Sequence, residues 1–318
     1  MDANSPLAPK VRGRLAPSPT GRMHIGHARS FLLAWWSVRA QGGELLLRIE
    51  DLDQTRARQS WSDGIVEDLA WLGLDWDGEV VMQSEHTVHS FAARDRLMEE
   101  GLAYACVCSR KEVREAANAP HEGLGPVSGE VNYPGTCRGK YASLEDAEQQ
   151  TGRKAALRFQ VPDKPVHVSD GIFGELDFAL ANHGGDFVIQ RRDGLPAYQL
   201  GVVVDDGRSG INEVLRGNDL LVSAARQQLL YAALDLPCPS WLHVPLVADS
   251  RGERLAKRLG STSLAELREA GMQAHEIVAW VAQSSGMQTP TGCAASELVG
   301  EFDVAKIPHQ TATWPQPS

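Results

Sequence analysis

A strand-like run, a helical pattern, a second strand and a second helix open this chain in that order, and the alternation leaves few folds available. Residues 10–15 alternate enough to form a strand, and the turn-rich Pro17-Ser18-Pro19-Thr20-Gly21 ends it. Phe31, Leu32, Trp35 and Trp36 then recur at helical spacing until Gly42-Gly43 supplies a stop. Residues 44–49 form a compact apolar strand closing on Glu50-Asp51, and Trp61, Ile65, Leu69 and Leu72 mark an amphipathic helix. Strands joined through helices predict a parallel sheet, so the expected class is α/β. A further helix over about residues 84–100 closes at Gly101.

The pattern then breaks. Residues 103–185 are less regular and read as an insertion: a short helix that Ser109 and Glu112 can cap, a Gly/Pro-rich loop, and short strands such as 157–161. Alternation resumes at 187–190, followed by a turn at Asp193-Gly194, an apolar run over 202–204, a helix over about 220–234, and residues 243–247 as the last strand. A basic loop at 251–258 precedes helical segments near 264–270 and 276–282. The expected map is a disordered tail at 1–9, two Rossmann-type halves at 10–102 and 186–247 around the insertion at 103–185, a loop with a short helical segment at 248–285, and a loose tail at 286–318. No internal repeat is found.

Composition narrows the function. With 318 residues there is length for about two domains at roughly 150 residues each, or for one domain with a large insertion. No apolar run approaches the roughly 18 residues that span a bilayer, and residues 1–9 have neither an apolar core nor a charged leader, so a cytoplasmic protein with no membrane role is expected. Charge is 31 − 41 = −10, which argues against a generic nucleic-acid binder; any such contact must come from a local basic patch. Five cysteines, odd in number and unevenly placed, do not make a disulfide framework and raise metal binding instead.

Chemistry concentrates at His24-Ile25-Gly26-His27, placed after a strand and at the mouth of a helix. Exposed N–H groups there favour anions, two imidazoles can touch a polyphosphate, and Gly26 lets a backbone or nucleotide ring approach. Arg14-Leu15-Ala16-Pro17-Ser18 precedes this turn, Arg48-Ile49-Glu50-Asp51 ends the next strand, and Arg254-Leu255-Ala256-Lys257-Arg258 follows late in the chain. Cys106, Cys108 and Cys137 lie inside the insertion, where a small region with little core gains most from a metal staple. Three thiolates leave one tetrahedral position, which His121 or a water can fill.

These ordered signatures, over about residues 10–285, resemble the catalytic domain of class I glutamyl-tRNA synthetases. The resemblance implies a Rossmann-type class I aminoacyl-tRNA synthetase fold with a zinc-bearing insertion and a short helical C-terminal segment. It further implies activation of L-glutamate by ATP with Mg²⁺. In that reading His24, Gly26, His27, Arg254 and Lys257 hold ATP, and His24, His27 and Lys257 are catalytic. Arg14 with Ala16 and Ser18 forms the glutamate pocket, Glu50 faces the amino group, and Tyr198 and Arg216 match the remaining substrate positions. The late loop departs from the family's Lys-Met-Ser-Lys-Ser pattern: Arg254 replaces the first Lys and Ala256 the Ser, which removes one hydroxyl from the phosphate site. Where zinc-bearing longer synthetases tend to place a His two residues after the last Cys, this chain has Gly139. Tyr133 ahead of Cys137 instead resembles a truncated subfamily, the glutamyl-queuosine tRNA(Asp) synthetases, with Cys106, Cys108, Tyr133 and Cys137 as ligands of one structural Zn²⁺.

That resemblance implies glutamate transfer to the queuosine base of tRNA(Asp); the length after the late loop leaves room for a pair of helices but no anticodon-binding domain, and with nothing in the sequence suggesting an oligomer a monomer is expected. The competing readings are a compact glutamyl-tRNA synthetase charging tRNA(Glu), a small nucleotidylyltransferase sharing the histidine turn, and a non-catalytic paralogue that binds glutamate or adenylate.

Overall fold

The computed structural model describes residues 10–117, 131–249 and 262–315. His121 and the late basic loop with Arg254, Ala256 and Lys257 lie outside the described residues. In chain order the elements are β1 (Arg12–Leu15), α1 (Ile25–Ala40), β2 (Glu44–Ile49), α2 (Gln59–Trp71), β3 (Val81–Met82), α3 (Thr87–Glu99), β4 (Ala103–Cys106), α4 (Arg110–Ala117) and α5 (Leu144–Thr151). There follow β5 (Ala156–Phe159), β6 (Val166–Asp170), β7 (Gly174–Phe178), β8 (Phe187–Gln190), α6 (Tyr198–Arg208), β9 (Glu213–Gly217) and α7 (Leu221–Ala233). The chain ends with β10 (Ser240–Val244), β11 (Val247–Ala248), α8 (Leu264–Glu269), α9 (Ala274–Gln283) and β12 (Ala312–Thr313).

The chain divides into two compact units, the first made of residues 1–81, 210–218 and 239–318. In it β1 runs parallel to β2, from Arg12↔Glu44 to Leu15↔Leu47, with α1 as the crossover. A parallel pair requires such a crossover, because a two-residue turn cannot reverse the chain twice. β9 and β10 form a second parallel pair. Leu15, Leu32, Leu33, Trp36, Leu45, Leu47 and Ile49 are fully buried, so the core of this unit lies where β1 and β2 meet α1. Burying such side chains contributes roughly 1.5–3 kcal/mol each.

The second unit holds residues 82–209 and 219–238. It contains the antiparallel sheet β4-β5-β8 and the hairpin of β6 with β7. The border expected at 102/103 therefore falls at 81/82: α3 and β4 share this unit. β8, expected with the second Rossmann half, pairs with β5, Leu157 opposite Gln190 and Phe159 opposite Phe187. Periodicity identified both strands, but it does not record which strand a run pairs with.

The apolar run at 202–204 lies inside helix α6, where Val202, Val203 and Val204 are all buried, so its continuous apolarity reports burial. Two further expectations are corrected. The strand expected at 243–247 spans Ser240–Val244 and stops at Pro245, and it is not the last. Residues 286–315, expected as a loose tail, are packed. β12 pairs parallel with β11, Val247 opposite Ala312, Trp314 meets Trp280 edge-on at 4.8 Å, and the Trp36 indole N–H donates to the Ala295 carbonyl at 2.8 Å.

Candidate active site

The histidine turn is built by helix capping. His24 is the N-cap of α1 in an extended conformation, and its Nδ1 accepts the Gly26 N–H at 3.1 Å. Reciprocally, the Nδ1 of His27 accepts the His24 N–H at 3.2 Å. The two rings stack with centroids 3.8 Å apart and planes at 27°. A nitrogen that accepts a hydrogen bond carries no proton, so in each neutral ring the proton sits on Nε2. Two Nε2–H donors at the positive end of a sixteen-residue helix suit phosphate oxygens. Gly26 is needed for close packing here: a Cβ would lie 3.0 Å from Cε1 of His24. The flank of the late loop returns to this turn. Ser263 bridges His24, the Leu264 N–H donates to the Met23 carbonyl at 2.9 Å, and Ser263 and Glu266 cap α8 reciprocally.

Around it the first unit places most of the glutamate-pocket candidates. Arg14 is buried on β1, and Ala16 and Ser18 follow in the turn, Ser18 exposed. Glu50 is 9% exposed at the end of β2; its N–H donates to the Pro17 carbonyl at 2.9 Å, which ties this strand end to the turn. Arg48 pairs with the Glu50 carboxylate at 3.1 Å. Arg216 is buried on β9, its Nε–H donating to Nε2 of His243 at 3.0 Å and its guanidinium 4.9 Å from the Trp241 ring centroid. Tyr198 belongs to the second unit, where it begins α6 and is 39% exposed. Sequence reasoning missed Arg48, Trp241 and His243 as partners of the site. Arg48 carries a local signal, two residues from Glu50 on one strand face, whereas His243 stands opposite Arg216 only through the β9–β10 register.

In the second unit Cys106, Cys108 and Cys137 converge, their sulfurs all within 4.8 Å of one another. Cys108 and Cys137 are 3.3 Å apart, and the Tyr133 hydroxyl lies 3.3 Å from the Cys106 sulfur and 3.9 Å from that of Cys108. Zinc–sulfur bonds of about 2.3 Å in a tetrahedron put sulfurs roughly 3.8 Å apart, so these spacings fit a shared metal. Burial, then the bond to Cys137, pushes the Cys108 thiol up to about 12. Burial, then the bond from Cys106, also raises the Tyr133 phenol. Burial works the same way on Cys137, but hydrogen bonds from Tyr133 and the Val107 backbone outweigh it and hold that thiol low. The Arg158 guanidinium carbon sits over the Tyr133 ring, 3.9 Å from its centroid, and its Nε–H donates to the Cys106 sulfur at 3.3 Å. Gly185 seats Tyr133: at φ +66° it forms a bridge to it, and a Cβ would fall 2.5 Å from the Tyr133 carbonyl oxygen. Cys238 and Cys293 form no disulfide among the described residues.

A parallel α/β unit with paired histidines capping its first helix is the arrangement expected of the class I synthetase catalytic domain. The family described as tRNA synthetases class I (E and Q), catalytic domain, matches residues 10–314, and the chain belongs to it. Curated relatives include the glutamyl-Q tRNA(Asp) synthetase of Nitratidesulfovibrio vulgaris, 42% identical over 96% of this chain and 96% of the relative. That of Deinococcus radiodurans is 46% identical over 86% and 88%. Within the family, the chain groups with these glutamyl-Q tRNA(Asp) synthetases, and it is a ligase-type enzyme. The glutamate–tRNA ligase of Parasynechococcus marenigrum is 41% identical over 84% of this chain and 56% of that protein. Among solved structures, the glutamate-tRNA synthetase from Elizabethkingia anophelis superposes with a TM-score of 0.81 at 26% identity, over 96% of this chain and 68% of that one.

Proposed function

We propose that this chain activates L-glutamate with ATP, without needing tRNA, and transfers the glutamyl group to the queuosine base of tRNA(Asp). The observation that carries the reading is the reciprocal imidazole cap on α1, which stacks His24 and His27 at a helix N-terminus with the proton of each neutral ring on Nε2. The name and the near-complete coverage of the glutamyl-Q tRNA(Asp) synthetase relatives supply the acceptor.

The chemistry asks for positioning and charge, not a protein nucleophile. A glutamate α-carboxylate oxygen forms a bond to the α-phosphorus of ATP in line with the breaking bond to the β-phosphate bridge, and pyrophosphate leaves. A hydroxyl of the queuosine cyclopentenediol then attacks the acyl carbon and gives up its proton to solvent, an ester forms, and AMP departs with the electron pair of the broken acyl–phosphate bond. His24 and His27 donate to ATP phosphate oxygens, and Gly26 leaves room for the nucleotide. Arg254 and Lys257 supply cations for the charge that grows on pyrophosphate; the bridge of Ser263 to His24 supports this assignment, because it brings the chain just after their loop onto the histidine turn. Arg14 meets the glutamate side-chain carboxylate end-on, a bidentate match, with Ala16 and Ser18 lining the pocket. Glu50, Tyr198 and Arg216 hold the rest of the amino acid.

Mg²⁺ accompanies the triphosphate as counter-charge. Cys106, Cys108, Cys137 and Tyr133 would hold one Zn²⁺, which staples the insertion. Among the described residues no helix is long and apolar enough to cross a membrane, and we place the enzyme in the cytoplasm as a monomer. A second reading, a compact enzyme charging the 3′ end of tRNA(Glu), draws on the identity to glutamate–tRNA ligases. Glutamate-dependent ATP–pyrophosphate exchange in the absence of tRNA tests the activation step: turnover is expected, and glutamate binding without turnover would overturn it in favour of a binding paralogue.

A further inference from the structure

We propose that His243 is a positioning residue for glutamate recognition, acting through Arg216; the substrate part of this inference rests on the function proposed above. Arg216 and His243 stand opposite each other in the parallel register of β9 and β10. Both are buried, Arg216 at 6% and His243 at 0% exposure. The guanidinium Nε–H donates to the imidazole Nε2 at 3.0 Å. An Nε2 that accepts must be unprotonated, so the neutral imidazole carries its proton on Nδ1. Trp241, two residues earlier on the same strand and therefore on the same face, lies under the guanidinium at 4.9 Å and stacks with His243 at 6.3 Å and 30°.

These two contacts constrain different freedoms. The ring of Trp241 sets the plane of the guanidinium, and the bond to His243 sets its rotation within that plane. Neither Trp241 nor His243 is a carboxylate, so these two contacts orient the arginine without themselves neutralising it. With Nε directed at His243, a bidentate carboxylate meets the guanidinium through its two terminal nitrogens, one of only a few edges a planar fork offers. His243 thereby selects the edge that Arg216 turns toward an anionic substrate group.

The test uses the full chain in glutamate-dependent ATP–pyrophosphate exchange. His243→Asn is too short to reach Nε of Arg216, whereas His243→Gln places an amide oxygen near the position of Nε2. His243→Asn should raise the KM for glutamate about tenfold, equivalent to about 1.4 kcal/mol and within the range for a hydrogen bond to a charged group, with the KM for ATP unchanged. His243→Gln should restore it to within about threefold, on the same scale. An unchanged KM for glutamate in His243→Asn, or equal loss in both variants with the ATP KM rising in step, would overturn the inference. Protection of the Arg216 Nε–H from solvent exchange, read by NMR, tests positioning independently of glutamate. It should persist in wild type and His243→Gln and fall in His243→Asn; equal protection in all three overturns the positioning. Absence of glutamate dependence in the wild type overturns the functional reading and the substrate part of the inference with it.

Discussion

At residue scale the histidine turn combines a structural role and the proposed chemical one in the same two rings, on different nitrogens. Nδ1 of each imidazole caps α1, so in the proposed reading it is the Nε2–H that meets the phosphates. Gly26→Ala should therefore act through geometry: a Cβ 3.0 Å from the His24 ring tilts the imidazole and lowers pyrophosphate exchange by about 10–100-fold, the usual range for displacing an electrostatic stabiliser. Unchanged exchange would show that the ring orientation does not matter. Asp68 gives a stability prediction. Burial, partly offset by Arg268, raises its pKa to about 6. The folded state holds this proton more tightly than the unfolded chain, so the stability gained from protonation is complete below pH about 4 and is lost as pH rises toward 6. Asp68→Asn removes the cost of ionising a buried carboxyl and should add on the order of 2 kcal/mol at pH 7 but little at pH 4, which denaturant melts at the two pH values will measure. The His24 motif was legible in the sequence because four adjacent residues carry it. The partnership of His243 with Arg216 was not, because it exists only in the register of two strands 23 positions apart from Ser240 back to Gly217 at their nearest ends.

At the scale of elements, the metal-site candidates and the C-terminal segment show two ways in which long-range pairing organises the chain. Tyr133 reaches the cysteines because Gly185, at positive φ, lets its strand bridge close. Gly185→Ala should strain the backbone and push Tyr133 away. Zinc retained after dialysis, read by elemental analysis, is then expected to fall below that of the wild type; equal retention would show that Tyr133 placement does not govern the site. In the first unit Trp314 is 8% exposed, and Trp314→Ala should cost about 3 kcal/mol in urea unfolding. A change below about 0.5 kcal/mol, the usual size for a surface substitution, would mean that the segment contributes little to the folded state. Strand and helix positions along β1, α1, β2 and α2 were readable because apolar spacing is a local property. The β5–β8 pairing and the packing of β12 on β11 join segments far apart in the chain, and periodicity carries no record of a partner.

For the molecule as a whole, a net charge of −10 has to coexist with the RNA substrate proposed above. The second unit holds a cavity of about 660 Å³ lined by Arg110, Arg114, Arg158, Arg191 and Arg192, with Asp193 the one carboxylate of its lining among the described residues. This is the kind of local basic patch that an acidic chain needs to meet phosphodiesters. Domain borders were the least legible level, since they depend on which segments pack together: α3, β4 and β8 all belong to the second unit although their local patterns resemble those of the first. The acceptor, too, is a property of the whole enzyme and is carried by no single motif. The most direct test is transfer of labelled glutamate by the full chain to tRNA(Asp) with and without queuosine. We predict a stable glutamyl product on queuosine-containing tRNA(Asp) alone; equal labelling of queuosine-free tRNA(Asp), or transfer to the 3′ end of tRNA(Glu), would contradict the account.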